Sequence, residues 1–263
     1  MIINAAQLPG TSDQDRVIKT SYGVIVLDGA TSFDPSSPSA NDYVDSLGHE
    51  LQRRFARSDD LRVILADAIT ATSRDLQLRP GLGPSSTVAL VRLRANTVEV
   101  LVLGDSTVVV GHYDGSQQLI TDHRLDQLEL PQAEQYRHRL ASGSGYDDIH
   151  RELLSALQQR QRIRRNSSNG YWIAEADPSA AGHAIYQRFP AESVAWAVLA
   201  TDGASDPLTL LGIHWSGIAQ LSSDELSELL GRCHTWEATD DPNGQQLPRP
   251  KRHDDKTLAV LRT

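Results

Sequence analysis

The stretch Val24-Ile25-Val26-Leu27-Asp28-Gly29-Ala30-Thr31 runs four apolar residues straight into an aspartate and a glycine. A continuous apolar run of this length reads as a buried strand. An ionised carboxylate at its end is costly to bury unless a cation or hydrogen-bond donors meet it. The neighbouring glycine lets the backbone carbonyl turn towards whatever the carboxylate holds. The same grammar returns at Val194-Ala195-Trp196-Ala197-Val198-Leu199-Ala200-Thr201-Asp202-Gly203 and, glycine first, at Val100-Leu101-Val102-Leu103-Gly104-Asp105. Three strands that end in Asp and Gly predict that their ends converge on a metal site.

Around these strands the pattern alternates between layers. Residues 1–21 read as polar and loop-like, with a turn at Pro9-Gly10, and Ser32 to Ala40 reads as a Ser/Pro-rich loop. Asn41 or Asp42 is placed to cap a helix carrying Tyr43, Val44, Leu47, Leu51 and Phe55 on one face. A second helix is expected from Asp60 to Leu78, so a helical layer should cover a sheet. After the break at Arg79 to Pro84, Thr87–Leu93 and Val98–Leu103 form one hairpin. Thr107–Tyr113 and Gln117–Thr121, joined by Asp114-Gly115, form another. Together they read as an antiparallel meander. Residues 122–190 look like an insertion or flap, with a helix through Leu153, Leu154 and Leu157 that ends in the basic run Arg160 to Arg165. Helices are then expected at Leu208 to Gln220 and Asp224 to His234, and a final strand at Thr257–Leu261.

The chain has 263 residues, enough for one large domain with a proper core. Its net charge of −9 argues against general affinity for nucleic acid or an anionic membrane and suits a site that gathers carboxylates around divalent cations. Cys233 is the single cysteine, which excludes an intramolecular disulfide and thiolate zinc sites and points to a reducing, cytoplasmic setting. The start lacks the basic and apolar segments of a signal peptide, and no window approaches a membrane span.

These motifs, in order, resemble the metal-dependent protein phosphatases of type 2C (the PPM family), in a divergent, bacterial-like form. Asp13-Gln14-Asp15 is similar to the family's N-terminal acidic motif, and Asp28-Gly29 to the opening of its Asp-Gly-x-Gly-Gly. Ser85-Ser86-Thr87 resembles its Gly-Ser/Thr-Thr-Ala segment, Leu103-Gly104-Asp105-Ser106 its Val-Gly-Asp-Ser, and Leu119-Ile120-Thr121-Asp122-His123 its Leu-Thr-x-Asp-His. Leu199 to Asp206 is similar to its Leu-x-Ser/Thr-Asp-Gly-x-x-Asp, and Asp254-Asp255-Lys256-Thr257 to its Asp-Asn-x-Thr. Asp-Gly pairs are common in turns, but seven such motifs in family order are specific.

The resemblance implies an α/β (α+β) fold: a four-layer αββα sandwich with two central, mainly antiparallel β-sheets, formed by residues 1–263 as one domain. It implies a serine/threonine phosphatase that hydrolyses a phosphorylated protein with two, or with a third site three, Mn²⁺ or Mg²⁺ ions. Such ions prefer oxygen ligands, and a pair about 3.5–4 Å apart can acidify a water and clamp a phosphate. Asp28 would bridge both metals while the Gly29 carbonyl binds one. Asp202 and Asp254 would complete the second metal's shell, with Asp255 competing for the latter role, and Asp15 would act directly or through water. Asp105 and Asp206 match positions that contribute to a third, weaker metal in bacterial members. His123 reads as a structural hydrogen-bonder, Thr87 as a packed strand residue, and the basic run as a solvated helix end or a lure for acidic substrate.

The sequence also departs from the family. No Arg precedes Asp15, where members carry the residue that holds the substrate phosphate; the two later glycines after Gly29 are missing; and Ala30 replaces a His used by some members. Losing a bidentate phosphate clamp should weaken substrate positioning without removing the metals. Two further readings follow: a weak or inactive phosphatase-like binding module, and a hydrolase of small phosphorylated metabolites.

Overall fold

In a computed structural model, described at residues 1–31 and 37–263, two five-stranded antiparallel sheets face each other. The first has the order β1 (Ile2–Leu8), β10 (Lys256–Arg262), β9 (Val194–Ala200), β6 (Thr107–His112), β7 (Gln117–Ile120). The second has the order β2 (Asp15–Thr20), β3 (Gly23–Ala30), β4 (Ser85–Arg94), β5 (Thr97–Leu103), β8 (Ile185–Pro190). The four-layer sandwich is therefore present.

The unbroken apolar run of β3 follows from burial on both of its faces. Val24 and Val26 point between the sheets with Val91, Val100, Val110 and Leu199, whereas Ile25 and Leu27 pack under α1 (Ala40–Arg54) and α2 (Leu61–Asp75). Strand β9 is divided in the same way. Ala197 and Leu199 face the inter-sheet core, and Val198 and Ala200 face α5 (Asp202–Leu210) and α7 (Ser223–Thr239). An antiparallel strand loses its usual polar alternation when a helix covers its second face.

Several local expectations are corrected. Residues 1–21 hold β1 and β2, not a loop; β1 is an edge strand whose half-buried Asn4 and exposed Gln7 mask its pairing with β10. The two hairpins lie in different sheets, so they do not form one meander; the chain crosses between sheets at Gly104, whose φ is +84°. The first helix is capped by Ser39, with Asp42 returning the bond to the Ser39 backbone in a capping box. The expected helix Leu208–Gln220 instead starts at Asp202 and breaks after Leu210, leaving a single turn, α6 (Trp215–Ile218). Five residues of the Ser32–Ala40 loop, 32–36, lie outside the described residues.

Within 122–190, α3 (Pro131–Ala141) and α4 (Asp148–Arg164) pack on each other through Tyr136, Leu140 and Leu157, while β8 joins the edge of the second sheet. The basic run at the end of α4 ties loops together: Arg162 and Arg165 donate to the carbonyls of Gly81 and Gly83, and Arg164 donates to Asn169. Among the described residues no helix is long and apolar enough to cross a membrane.

Candidate metal centre

Strand register places the candidate residues at one end of the sandwich. Asp15 pairs directly with Asp28, and Asp28 with Thr87. In the other sheet Ala200 pairs with Thr107 and with Leu258, so the start of α5, the Gly104–Ser106 crossing and the lead into β10 share that end. Asp28 from the second sheet thus lies on the same end as Asp202 and Asp254 from the first, near enough for their charges to act on it.

Asp15 is 3% exposed. Its Oδ2 accepts from the Thr201 hydroxyl at 2.9 Å, and Oδ1 finds no donor. Thr201 in turn accepts from the Thr257 backbone N–H at 3.0 Å, so one threonine fastens Asp15, β10 and the residue before Asp202 together. Burial outweighs these donors and pushes the Asp15 carboxyl up to about 7, with Asp202 and Asp255 adding repulsion. Burial also holds Asp28 well above the usual carboxylate range, reinforced by Asp15, Asp202, Asp254 and Asp105. Asp202 is raised by burial and then by the charge of Asp254. Asp105 rises to about 8, first by burial, then through Asp202, with Asp126 and Asp206 contributing.

Asp254 is partly open and carries Lys251 at 2.6 Å. Asp255 turns the other way. Its two oxygens take the backbone N–H groups of Gly10, Asp13 and Gln14 at 2.6, 3.1 and 2.7 Å, and so close the turn between β1 and β2. Asp206 stands exposed one helical turn beyond Asp202. Gly29 is wedged where a Cβ would lie 2.9 Å from both the Gln14 carbonyl oxygen and Val44. His123 is exposed, and its neighbour Asp122 holds Arg124 instead. Thr87 bonds Ser106 at 2.6 Å.

The donor set suits hard divalent ions. It is all oxygen and contributed by several segments, and burial, with mutual repulsion second, raises the proton affinity of Asp15, Asp28, Asp105 and Asp202. The unsatisfied Asp15 oxygen agrees with that fit. Among the described residues, the group whose ligand atoms all lie within 4.8 Å of one another is a separate one, His234, Glu237 and His253, and the aspartates stand farther apart; but Glu237 is already the counter-ion of fully buried Lys256. A dication there would face that ammonium at close range.

A family model described as protein phosphatase 2C matches residues 9–230. The chain belongs to the protein phosphatase 2C family. A search of curated protein sequences finds no match. Among solved structures, this family member is similar to the catalytic domain of the serine/threonine phosphatase PstP in complex with two manganese ions (18% identity, TM-score 0.54, covering 98% of this chain and 96% of that one). It is similar to the phosphatase Stp1 of Staphylococcus aureus (13%, 0.57, 99% and 94%). It also resembles the PPM Ser-Thr phosphatase MsPP of Mycobacterium smegmatis in complex with cacodylate (16%, 0.54, 99% and 97%). At these identities the likeness is one of fold.

Residues that sequence reading passed over in this phosphatase 2C centre are Thr201, Thr257, Asp126 and Lys251. Thr201 and Thr257 sit inside quoted motifs, yet the bonds of the Thr201 hydroxyl to Asp15 and from the Thr257 backbone join segments 186 and 56 positions apart. Lys251 carried no signal beyond its spacing of three before Asp254.

The raised carboxyls fix a pH dependence. Between about pH 4 and 8 the folded, metal-free chain keeps protons on Asp15 and Asp105 that the unfolded chain has released, so its stability falls as pH rises through that window. Below pH 4 both states are protonated and this contribution levels off. In EDTA, thermal unfolding should show part of its decline between pH 5 and pH 8 lost in Asp105→Asn; an identical slope in the variant would contradict the assignment.

Proposed function

We propose that this chain is a Mn²⁺- or Mg²⁺-dependent phosphoserine/phosphothreonine protein phosphatase. The observation that carries the reading is the convergence of Asp28, Asp202 and Asp254, from separate segments of both sheets, on one end of the sandwich. Asp28 would be shared by two ions, with Asp202 and Asp254 on the second and the Gly29 carbonyl on one of them. Asp15, held by Thr201, would act directly or through water, and Asp105 and Asp206 would serve a third ion. When bound, the ions supply compensation for phosphoryl charge and a lowered water pKa.

The protein's own part is to gather and orient. Thr201 fixes the rotamer of Asp15, and the α5 N-terminus presents Asp202 beside backbone N–H groups that favour negative charge. Two sheets packed on an apolar core keep the ends of β3 and β9 from drifting apart. In this reading residues 1–263 form one domain. The α3–α4 pair is a flap beside the cleft, since Tyr136 feels the charge of Asp202 and Asp206 feels that of Arg137.

The test is a substrate panel in Mn²⁺: para-nitrophenyl phosphate, phosphothreonine and phosphoserine peptides, and small sugar and nucleotide phosphates. Turnover of the phosphopeptides above the metabolites is expected. Preference for a metabolite would move the assignment to a small-molecule hydrolase, and no turnover of any substrate would make the chain an inactive, phosphatase-like module.

A further inference from the structure

We propose that Lys251 is the cation that binds the substrate phosphate in this chain, taking the place of the arginine that the N-terminal segment lacks. The inference rests on the phosphatase reading above.

Among the described residues, the N-terminal side of the centre offers no free cation for the task. Arg16, the nearest basic residue in sequence to the acidic motif, is committed elsewhere. It pairs with Asp45 at 2.6 Å and donates to the carbonyls of Asp13 and Asp15. The turn around Gly10, where the family's arginine would stand, is pinned by Asp255 through three backbone bonds.

A basic residue instead enters from the opposite side, on the loop before β10. Lys251 lines the cleft formed by Asp202, Gly203, Asp206 and Asp254. Its ammonium lies 2.6 Å from Asp254 Oδ1 and within reach of the charges of Asp28 and Asp202. Two other cations of this loop and strand are engaged in structure. Arg249 is buried on Asp241 at 2.6 Å, and Lys256 on Glu237 at 2.9 Å. Lys251 is more open than either, with 42% of its side chain exposed.

Its chemistry fits an exchange of partners. An ammonium on a four-carbon stem is a mobile point charge with three donors, and lysine is an established phosphate binder in that role. When Asp254 gives its oxygens to a divalent ion, the ammonium loses its counter-charge and is repelled by the new cation. The ammonium would then be released to meet a phosphate dianion bound beside the ions. Lys251 therefore competes with metal for Asp254 before loading and cooperates with it afterwards.

The experiment compares wild type, Lys251→Met and Lys251→Arg by calorimetric titration, first with Mn²⁺ and then, on the Mn²⁺-loaded protein, with inorganic phosphate. Lys251→Met should bind Mn²⁺ as tightly as wild type or several-fold tighter, and phosphate about tenfold or more weaker. Lys251→Arg should recover much of the phosphate affinity. In turnover the methionine variant should raise KM for para-nitrophenyl phosphate more than it lowers kcat. Unchanged phosphate affinity in Lys251→Met, weakened Mn²⁺ binding in that variant, or a wild type that binds Mn²⁺ but no phosphate would each overturn the proposal. A wild type that binds phosphate through Lys251 yet turns over no substrate would leave Lys251 assigned and remove the phosphatase reading.

Discussion

Asp28→Asn is expected to lower Mn²⁺-dependent hydrolysis by at least about a hundredfold and, in the same molecule, to raise the melting temperature of the metal-free protein. Loss of activity follows if Asp28 is the carboxylate shared by two ions. The gain in stability follows from its surroundings. Burial and the charges of Asp15, Asp202, Asp254 and Asp105 all oppose its ionisation. Asparagine keeps the shape of the side chain, cannot ionise, and spares its neighbours one like charge. Most substitutions at semi-buried polar sites destabilise, so a rise of a few degrees is a distinctive sign. Hydrolysis of para-nitrophenyl phosphate with Mn²⁺ and calorimetry in EDTA read the two halves separately. Wild-type activity, or a lower metal-free melting temperature, would contradict the placement of Asp28 at the centre of the cluster. Stability traded for function in this way is expected wherever a site must hold charges ready for a ligand.

Gly203→Ala should fail in the opposite manner, losing stability and metal together. A Cβ at this position would lie 2.1 Å from the Asp255 carbonyl oxygen and 3.1 Å from Asp254 Cβ. The first obstacle is backbone, so no side chain can swing aside, and the start of α5 must separate from the lead into β10. Overpacking of this kind costs about 3 kcal/mol at its upper range. Asp202 and Asp254 sit on the two sides of the contact, so the separation also spoils their common aim. Urea unfolding should show the loss, and calorimetry should show Mn²⁺ affinity reduced by about tenfold or more. Near-wild-type values in both would mean that the two segments do not meet as closely as described.

The parts of the fold legible in the sequence were those in which one residue pattern has one physical solution. Val24–Leu27 and Val194–Ala200 are apolar throughout because each is covered on both faces, and Tyr43, Val44, Leu47 and Leu51 repeat at helical spacing because one side of α1 rests on the sheet. Strand β1 was not legible because edge pairing is a property of backbone, and Asn4 and Gln7 hide the alternation. The start of α5 at Asp202 was missed because the Asp-Gly pair reads equally as a turn, and α3 because its apolar face covers little more than Tyr136 and Leu140.

At the centre, the aspartates were legible as motif members, but their division of labour was not. Asp254 and Asp255 are adjacent and chemically identical. They are distinguished by three backbone N–H groups more than 240 positions away, which claim Asp255 and leave Asp254 to the cleft. Thr201 acts through contacts of the same long-range kind, to Asp15 and Thr257, which no local spacing encodes.

The most direct test is a crystal structure of the Mn²⁺-loaded protein with anomalous scattering recorded at the manganese edge. Two peaks flanking the Asp28 carboxylate, one of them also bound by Asp202 and Asp254, are expected. No peak at Asp28, or manganese held elsewhere with Asp28, Asp202 and Asp254 apart, would contradict the account.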